Sequence, residues 1–265
     1  MSNLSYMQKA TDRGQLQIHV TTERGFFPIK DASIRLSYTG NPTEIIEELS
    51  TDISGQTAAV ELPAPPLEYS MEPSEFQPYS EYTIQVNASG YRPINISGIS
   101  VLPDKTSIQN VRMETATAGN PLERNIVITA NTLYGNFPPK IPEDEIKPMN
   151  ESGEIVLSRV VIPEYVIVHD GPPSDSSAND YYVRYRDYIK NVASSEIYAT
   201  WPDAALRANI LAIMSFTLNR VYTEWYRNKG YDFTITSSTA FDHKFVYGRN
   251  IFSNISNIVD EMFNS

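Results

Sequence analysis

Hydrophobic and polar residues alternate with a period of two in several short runs of the first part of the chain. In residues 14–22 the apolar positions are Leu16, Ile18 and Val20, which alternation places on one face of a strand. Similar runs occupy residues 32–40, 58–62, 80–91, 94–102 and 106–113, with turn signals at positions such as Ser54-Gly55 and Ser89-Gly90. Six or seven short strands with turns between them predict an antiparallel β-sandwich of about a hundred residues.

The pattern changes after Thr115. Residues 136–154 combine prolines, acidic residues and glycine, which is typical of a linker or an irregular connection. One further strand is predicted within residues 125–133. Residues 154–171 are again extended, and Pro163 between their two apolar runs predicts two short strands or one strand with a bulge.

Helical spacing begins at Tyr185. The apolar positions up to residue 197 fit one face of a helix: Tyr185, Tyr188, Ile189, Val192, Ala193 and Ile197. The polar residues that fall on the other side are Asp187, Lys190, Asn191 and Ser194. Glu196 lies on the apolar stripe, and we therefore expect its carboxyl group to face the core or a cleft.

The start of a second helix is predicted a few residues later. Thr200 has the position of an N-cap, and Asp203, three residues on, would complete a capping box. Pro202 falls in the first turn, where a missing N–H is tolerated. The first helix must then end near Tyr198, which puts Glu196 in its last turn.

The second helix is predicted to extend from about residue 202 to residue 228. Its sequence is apolar on nearly every side, which is typical of a central, buried helix. Arg220, Glu224 and Arg227 mark one polar side near its end, and Gly230 is a candidate C-terminal stop.

The predicted position of Glu196 affects its acidity. Burial disfavours the charged carboxylate, and the negative end of the helix dipole disfavours it further. A glutamate with a raised pKa can act as a general acid near neutral pH. The alternative is that Glu196 is exposed or is bonded to a nearby arginine, Arg207 or Arg220.

Composition narrows the range of partners. The chain has 265 residues, no cysteine and a formal net charge of −11, without a block of lysines and arginines. Nucleic-acid and anionic-membrane partners are therefore not expected, because they require clustered cations. Disulfides and thiolate sites are excluded. Seventeen tyrosines fit a carbohydrate-facing cleft or ordinary core packing equally well.

No targeting or membrane segment is predicted. The first fifteen residues lack the apolar h-region of an ordinary secretory signal. The most apolar run, residues 208–216, is too short to span a bilayer.

The order of the predicted strands, with "GQLQIHV", "IKDASIRL", "TDISGQT" and "YTIQVNASGY", resembles the transthyretin-like or carboxypeptidase-regulatory-like sandwich. The resemblance covers residues 13–114. It implies a spacer, an adhesive unit or a folding aid. The resulting organisation is an N-terminal tail (1–11), a sandwich (12–115), a Pro/acidic linker (116–158) and a second domain (159–265).

The stretch "YIKNVASSEI", followed by "WPDAALRA" at the start of a long helix, resembles the stage II sporulation protein D family. The wider run of residues 160–265 is similar to spore cortex-lytic enzymes of anaerobic spore formers. This resemblance implies an α+β multidomain protein whose second domain is mixed α/β with a central buried helix. It also implies peptidoglycan as the partner and a location in the spore cortex, the spore coat or the cell envelope of a spore-forming bacterium.

The resemblance assigns chemistry to particular residues. The glutamate of the family's S-E-(M/I) motif is here Glu196, the implied catalytic residue of a lytic transglycosylase. The candidates for contact with the glycan are Ser195, Tyr198, Trp201, His243 and Tyr247. We expect His19 and His169 to be structural or surface residues.

Residues 237–248 align with a family segment that carries cysteines and a histidine able to hold zinc. This chain lacks the cysteines and has Asp242-His243 in that neighbourhood. Two side chains do not make a zinc site, so we expect no metal and no cofactor.

The chain ends at Ser265, whereas family members continue with further strands. We therefore expect a catalytic domain that is incomplete at the C-terminus. Three explanations stay open, namely a truncated reading frame, a fragment, and completion by a second chain. Similar enzymes are made as zymogens, which makes the sandwich a candidate pro-region and the linker a candidate cleavage site for a germination protease. The alternatives are a non-catalytic truncated paralogue that binds peptidoglycan or a protein, and an adhesive envelope protein.

Overall fold

A computed structural model describes residues 12–117, 119, 122–142 and 161–264. The chain forms two compact units. The first contains residues up to Ala130 together with Tyr198–Trp201 and Tyr247–Ser256, and the second contains Asn131–Ile197, Pro202–Val246 and Asn257–Ser265. The expected tail (1–11) and residues 118, 120, 121 and 143–158 of the expected linker lie outside the described residues.

The first ten elements are β1 (Asp12–Thr22), β2 (Ser33–Tyr38), β3 (Asn41–Ser50), β4 (Val60–Ala64), α1 (Glu68–Met71), β5 (Ser80–Asn87), β6 (Ile94–Val101), β7 (Thr106–Met113), β8 (Arg124–Val127) and β9 (Tyr165–His169). The remainder are β10 (Asp180–Arg184), α2 (Tyr185–Glu196), α3 (Asp203–Tyr222), a 3-10 turn (Arg227–Lys229), β11 (Ile235–Thr236), β12 (Ile251–Phe252) and α4 (Ser253–Asn264). This arrangement confirms the predicted α+β multidomain class.

The first unit contains two sheets. Their strand orders are β12-β7-β1-β4 and β3-β2-β5-β6-β8. The predicted alternation is confirmed in β1, where Leu16, Ile18 and Val20 are fully buried. Most ladders are antiparallel, as expected, whereas β1–β7 and β6–β8 run parallel. The strand expected within residues 125–133 is present as β8.

Strand β3 is not predicted by the sequence pattern. It forms an antiparallel edge of the five-stranded sheet beside β2, and no residue in it is fully buried. An edge strand with solvent on both faces does not need the alternation that marks a half-buried strand. Its glutamates, Glu44, Glu47 and Glu48, also suit an edge that must not pair with another chain.

The second unit contains a small sheet and helices. Strands β9 and β10 form an antiparallel pair, and β11 runs parallel to β9. Pro163 precedes β9, and the predicted apolar run before it lies largely outside the described residues. Strand β10 is not predicted either, because it begins at Asp180, the last residue of the polar run 172–180 that indicates a loop.

The predicted capping box is wrong. Helix α3 begins at Asp203, its N-cap is Pro202 with extended backbone (φ −55°, ψ 145°), and no side chain caps it. Thr200 instead donates its hydroxyl hydrogen bond to Ser70 Oγ at 2.8 Å. A tertiary partner has thus replaced the local one that the sequence offered.

The second helix is shorter and less enclosed than predicted. It ends at Tyr222 rather than near residue 228, and only one face is buried, with Leu211 on the other face 53% exposed. Arg220, expected on a polar side, is buried. The helix therefore packs against the second unit through one apolar face. None of the helices in the described ranges has the length and apolar character that a membrane crossing requires.

Candidate active site

Glu196 lies in the last turn of helix α2, as the sequence predicted, and is its last residue, since the helix ends slightly before the predicted end near Tyr198. Its carboxylate Oε1 accepts a hydrogen bond of 2.6 Å from the backbone N–H of Lys244. Burial raises the pKa of Glu196, while the Lys244 bond and the positive charge of Lys140 oppose that rise. The pKa remains above the ordinary value, so burial is the dominant effect.

The two arginines considered as partners of Glu196 are bonded to other carboxylates. Arg207 forms ion pairs with Asp203 and Glu261 at the surface of the second unit. Arg220 donates from Nε to Asp242 at 2.8 Å, and both side chains are almost completely buried. The charges of these arginines are therefore compensated without Glu196.

The loop that carries Lys244 is fastened to helix α2 by Asn191. The Asn191 amide donates to the carbonyl of Val246 at 2.8 Å and accepts from the Val246 N–H at 3.0 Å. The sequence pattern places Asn191 on the solvent side with Ser194, but both are buried. The pattern misassigns Asn191 because its partner lies 55 positions away.

The loop comprises residues 242–246, and Asp242 holds the end opposite to Val246. Besides the Arg220 bond, it accepts from the hydroxyl of Tyr226 at 2.5 Å and from the N–H and hydroxyl of Thr236 at 2.9 and 2.7 Å. Four donors surround a carboxylate that is only 1% exposed. A buried charge is tolerated when it is paired and fully hydrogen-bonded, so this cluster is a rigid support for the loop.

His243 lies between these two anchors and is buried. Its Nδ1 is 3.3 Å from the hydroxyl of Tyr188, and its ring centroid is 4.6 Å from that of Phe216. Burial, together with the positive charge of Lys140, lowers the pKa of His243 to about 3. The imidazole is therefore neutral near pH 7 and does not supply a proton to a substrate at that pH.

A segment predicted to be linker, residues 131–142, belongs to the second unit and contacts the surroundings of Glu196. The Thr132 N–H donates to the carbonyl of Ser195 at 3.0 Å. Lys140 Nζ donates to the carbonyl of Asp242 at 2.6 Å. Further contacts of the segment are Ile141 N–H to Ala240 O at 2.8 Å and Lys244 Nζ over the Phe137 ring at 4.8 Å. These contacts are not predicted from the sequence, because a proline-rich local pattern does not indicate which distant residues the segment will contact.

The predicted glycan-contact residues are distributed over both units. Ser195 and His243 belong to the second unit with Glu196, whereas Tyr198, Trp201 and Tyr247 belong to the first. The Ser195 hydroxyl donates to the carbonyl of Asn191 at 2.9 Å. Contact of any of these residues with a glycan stays a prediction.

In the first unit, each of the aromatic candidates has a protein partner. Trp201 donates from Nε1 to the carbonyl of Ser70 at 2.9 Å, and its ring meets that of Tyr198 edge-on. The hydroxyl of Tyr247 accepts from Arg124 Nη2 at 2.7 Å.

The chain has two other histidines, His169 and His19. His169 is buried, and its Nδ1 lies 2.8 Å from Asp180 Oδ1. His19 lies in β1, and burial lowers its pKa. Within the ranges that the structure covers, no three His, Asp or Glu side chains are grouped so that they could hold a metal ion.

Residues 178–259 match the SpoIID family model, which describes a Stage II sporulation protein. The matched segment contains Glu196, Lys244 and the Asp242 cluster, but not residues 131–142. The match supports a role in sporulation and at peptidoglycan, and a source in a spore-forming bacterium. A comparison with curated protein sequences gives no significant match.

Solved structures resemble parts of the chain only distantly. The Bacillus anthracis TIE protein is 17% identical, with 40% of this chain and 17% of that protein covered and a TM-score of 0.28. The minor pilin GBS52 of Streptococcus agalactiae is 13% identical, with 40% and 46% covered and a TM-score of 0.28. Klebsiella pneumoniae 5-hydroxyisourate hydrolase is 16% identical, with 38% and 86% covered and a TM-score of 0.25. Similarity at this level supports no conclusion about function.

Proposed function

We propose that this protein is a peptidoglycan lytic transglycosylase that acts on the glycan strands of the spore cortex during germination, with Glu196 as its catalytic acid and base. The observation that carries the proposal is a partly buried carboxyl group at the end of α2 whose pKa is raised and which is held by the Lys244 N–H. The family match over residues 178–259 supports the substrate class.

The first half of the reaction needs a proton donor. The protonated Glu196 carboxyl gives its proton to the glycosidic oxygen that follows N-acetylmuramic acid, and the bond between that oxygen and C1 breaks. The next sugar leaves with a new hydroxyl group. A raised pKa favours this step, because a larger fraction of the carboxyl is protonated near neutral pH.

The second half uses the same group as a base. The Glu196 carboxylate takes the proton of the muramic acid C6 hydroxyl, and O6 attacks C1 to close a 1,6-anhydro ring. The carboxyl is thereby protonated again, and no water is consumed. One carboxyl therefore suffices, whereas hydrolytic glycosidases use two.

Replacement of Glu196 by glutamine tests the proposal. The E196Q side chain keeps an oxygen that can accept the Lys244 hydrogen bond but loses the transferable proton. Purified cortex is incubated with each protein, and the released muropeptides are analysed by mass spectrometry. We expect 1,6-anhydro-muropeptides from the wild type and a loss of at least about a hundredfold in E196Q. Full release by E196Q would refute the catalytic role.

The second candidate function is non-catalytic binding of peptidoglycan or a partner protein. One observation leaves room for it: the polar groups of Ser195, Trp201 and Tyr247, which a catalytic site was expected to use for glycan contact, are hydrogen-bonded within the protein. A binder would sediment with cortex and release no muropeptides, and E196Q would not change its binding.

We also propose that the sandwich acts as a pro-region, with cleavage by a germination protease in residues 116–158. Part of that range, residues 118, 120, 121 and 143–158, lies outside the described residues. Strand β12 pairs with β7, so removal of the sandwich would leave β12 without its partner. Incubation with the protease followed by N-terminal sequencing tests the proposal, and the absence of a cut in this range would refute it.

A further inference from the structure

Residues 131–142 lie outside the matched family segment but supply a charged side chain to the Glu196 site. Lys140 is the residue concerned. Its ammonium Nζ donates to the Asp242 carbonyl at 2.6 Å and lies 5.1 Å from the centroid of the Phe216 ring. The residue as a whole is exposed, so solvent or a ligand can reach it.

The bond from Lys140 acts on the backbone that binds Glu196. Only His243 separates the Asp242 carbonyl from Lys244, whose N–H donates to the Glu196 carboxylate at 2.6 Å. Lys140 therefore holds the Asp242 end of the segment 242–246, and Asn191 holds its other end through two hydrogen bonds to Val246.

Among the described residues, the positive charge that opposes the rise of the Glu196 pKa is that of Lys140. Asp242 is paired with Arg220 in the buried cluster. His243 is neutral at pH 7 because its pKa is about 3. Burial keeps the pKa of Tyr188 well above its usual value, so this residue on α2 is neutral as well. The Lys244 ammonium lies 4.8 Å from the centroid of the Phe137 ring, and the Lys244 backbone N–H donates to Glu196.

We propose that Lys140 is the positioning residue of the Glu196 site: it holds the Asp242–Lys244 backbone against the carboxyl and provides the positive charge that stabilises its ionised form. This inference rests on the proposed function. A group that acts first as acid and then as base must reach both protonation states within one cycle. Burial alone makes the carboxylate costly, and the Lys140 ammonium offsets that cost.

The test uses the full chain and three variants, K140M, K140R and the control K229M. Lys229 is an exposed lysine of the same unit whose ammonium lies over the Trp225 ring. The pKa of Glu196 is measured directly by carbon-detected NMR titration of glutamate side-chain carboxyls, with E196Q used to assign the signal. We expect an increase of about half a unit to one unit in K140M, and no change in K140R or K229M.

The second readout is turnover of soluble cortex glycan as a function of pH. We expect kcat in K140M to fall about tenfold to a hundredfold with KM within about twofold, because the carboxyl is misplaced while substrate binding is retained. The basic limb of its pH profile should move upward with the Glu196 pKa. K140R should recover most of the kcat, and K229M should behave as the wild type.

The two readouts separate this inference from the proposed function. An unchanged Glu196 pKa in K140M overturns the role of Lys140, even if E196Q is inactive and the proposed function stands. A shifted pKa in a protein that releases no anhydro-muropeptides supports the role of Lys140 and overturns the proposed function. An equal loss of kcat in K140M and K140R would also refute the inference, since the charge is kept in K140R.

Discussion

The backbone N–H of Lys244 lies 2.6 Å from Oε1 of Glu196, although 48 positions separate the two residues in the sequence. This bond orients the carboxyl at the end of α2 without supplying a counter-charge. A neutral donor of this kind allows the Glu196 carboxyl to gain and lose its proton, whereas a direct ion pair with an arginine would lower the pKa of Glu196 strongly. The geometry therefore suits a group that both gives and takes a proton.

Asn191→Ala should loosen the loop that contains Lys244. The substitution removes both hydrogen bonds to Val246 and leaves that buried backbone unsatisfied. We expect a loss of about 2–4 kcal/mol in the free energy of unfolding, measured by urea denaturation. Amide exchange at Val246 should become faster, while exchange in β1 of the first unit should stay as in the wild type. A variant as stable as the wild type would contradict this account of Asn191.

Arg220→Met should lower the free energy of unfolding more than replacing both residues of the ion pair does. The single substitution leaves Asp242 as a buried charge whose remaining donors are neutral, and we expect a loss of about 3–5 kcal/mol. The double variant R220M/D242N should regain part of this stability because it buries no charge. Thermal unfolding of the wild type, R220M, D242N and the double variant gives the comparison. Additive losses in the double variant would show that the pair is not coupled.

The neutral state of His243 predicts a particular dependence of stability on pH. In the unfolded chain the imidazole takes up a proton near its ordinary pKa of 6.5, but in the folded protein it does so only near pH 3. The unfolded state therefore binds more protons between these values, and the folded state loses up to about 1.4 kcal/mol per unit as the pH falls from 6.5 towards 3.

His243→Phe removes this titration. The difference in unfolding free energy between H243F and the wild type should shift in favour of the variant as the pH is lowered through this window. Above about pH 7 the difference should be constant. Urea denaturation at a series of pH values measures it, and a difference that does not depend on pH would show that His243 is not buried in its neutral form.

Asn250→Ala should destabilise the first unit. Asn250 is fully buried, accepts from the Ser100 N–H at 3.2 Å, and donates to the Ser100 carbonyl at 3.0 Å and the Ser107 hydroxyl at 2.6 Å. Its loss leaves buried polar groups unpaired, so we expect a decrease of about 2–3 kcal/mol in the unfolding free energy. Asn110→Ala is the matched control, because Asn110 is an exposed asparagine of β7, the strand that pairs with β12 directly after Asn250. Equal stability of the two variants would argue against an anchoring role for Asn250.

Several elements follow from local pattern alone. The alternation of Leu16, Ile18 and Val20 identifies β1, and the apolar stripe from Tyr185 identifies α2. Glu196 can be placed at the end of that helix because the start of the next helix limits its length. These predictions succeed because each rests on which face of one element is apolar, and the chain order itself specifies that face.

Where local patterns fail, a distant partner satisfies a polar group. Thr200 bonds to Ser70 instead of capping α3, and Arg220 is buried because Asp242 compensates its charge. The pattern likewise assigns Asn191 to the solvent side, although its side chain is buried and bonded to the Val246 backbone. Hydrophobic periodicity reports burial of apolar groups only, so a polar side chain paired in the interior looks like a surface residue.

The sequence by itself thus determined the α+β class, the identity of the helical segment and the position of Glu196 within it. Tertiary structure alone decided what surrounds that carboxyl. The Lys244 N–H reaches it across 48 positions, and Lys140 reaches the supporting Asp242 carbonyl across 102. Chain periodicity extends over a few turns of one helix, whereas the acidity of a buried group depends on every charge and donor that folding brings near it.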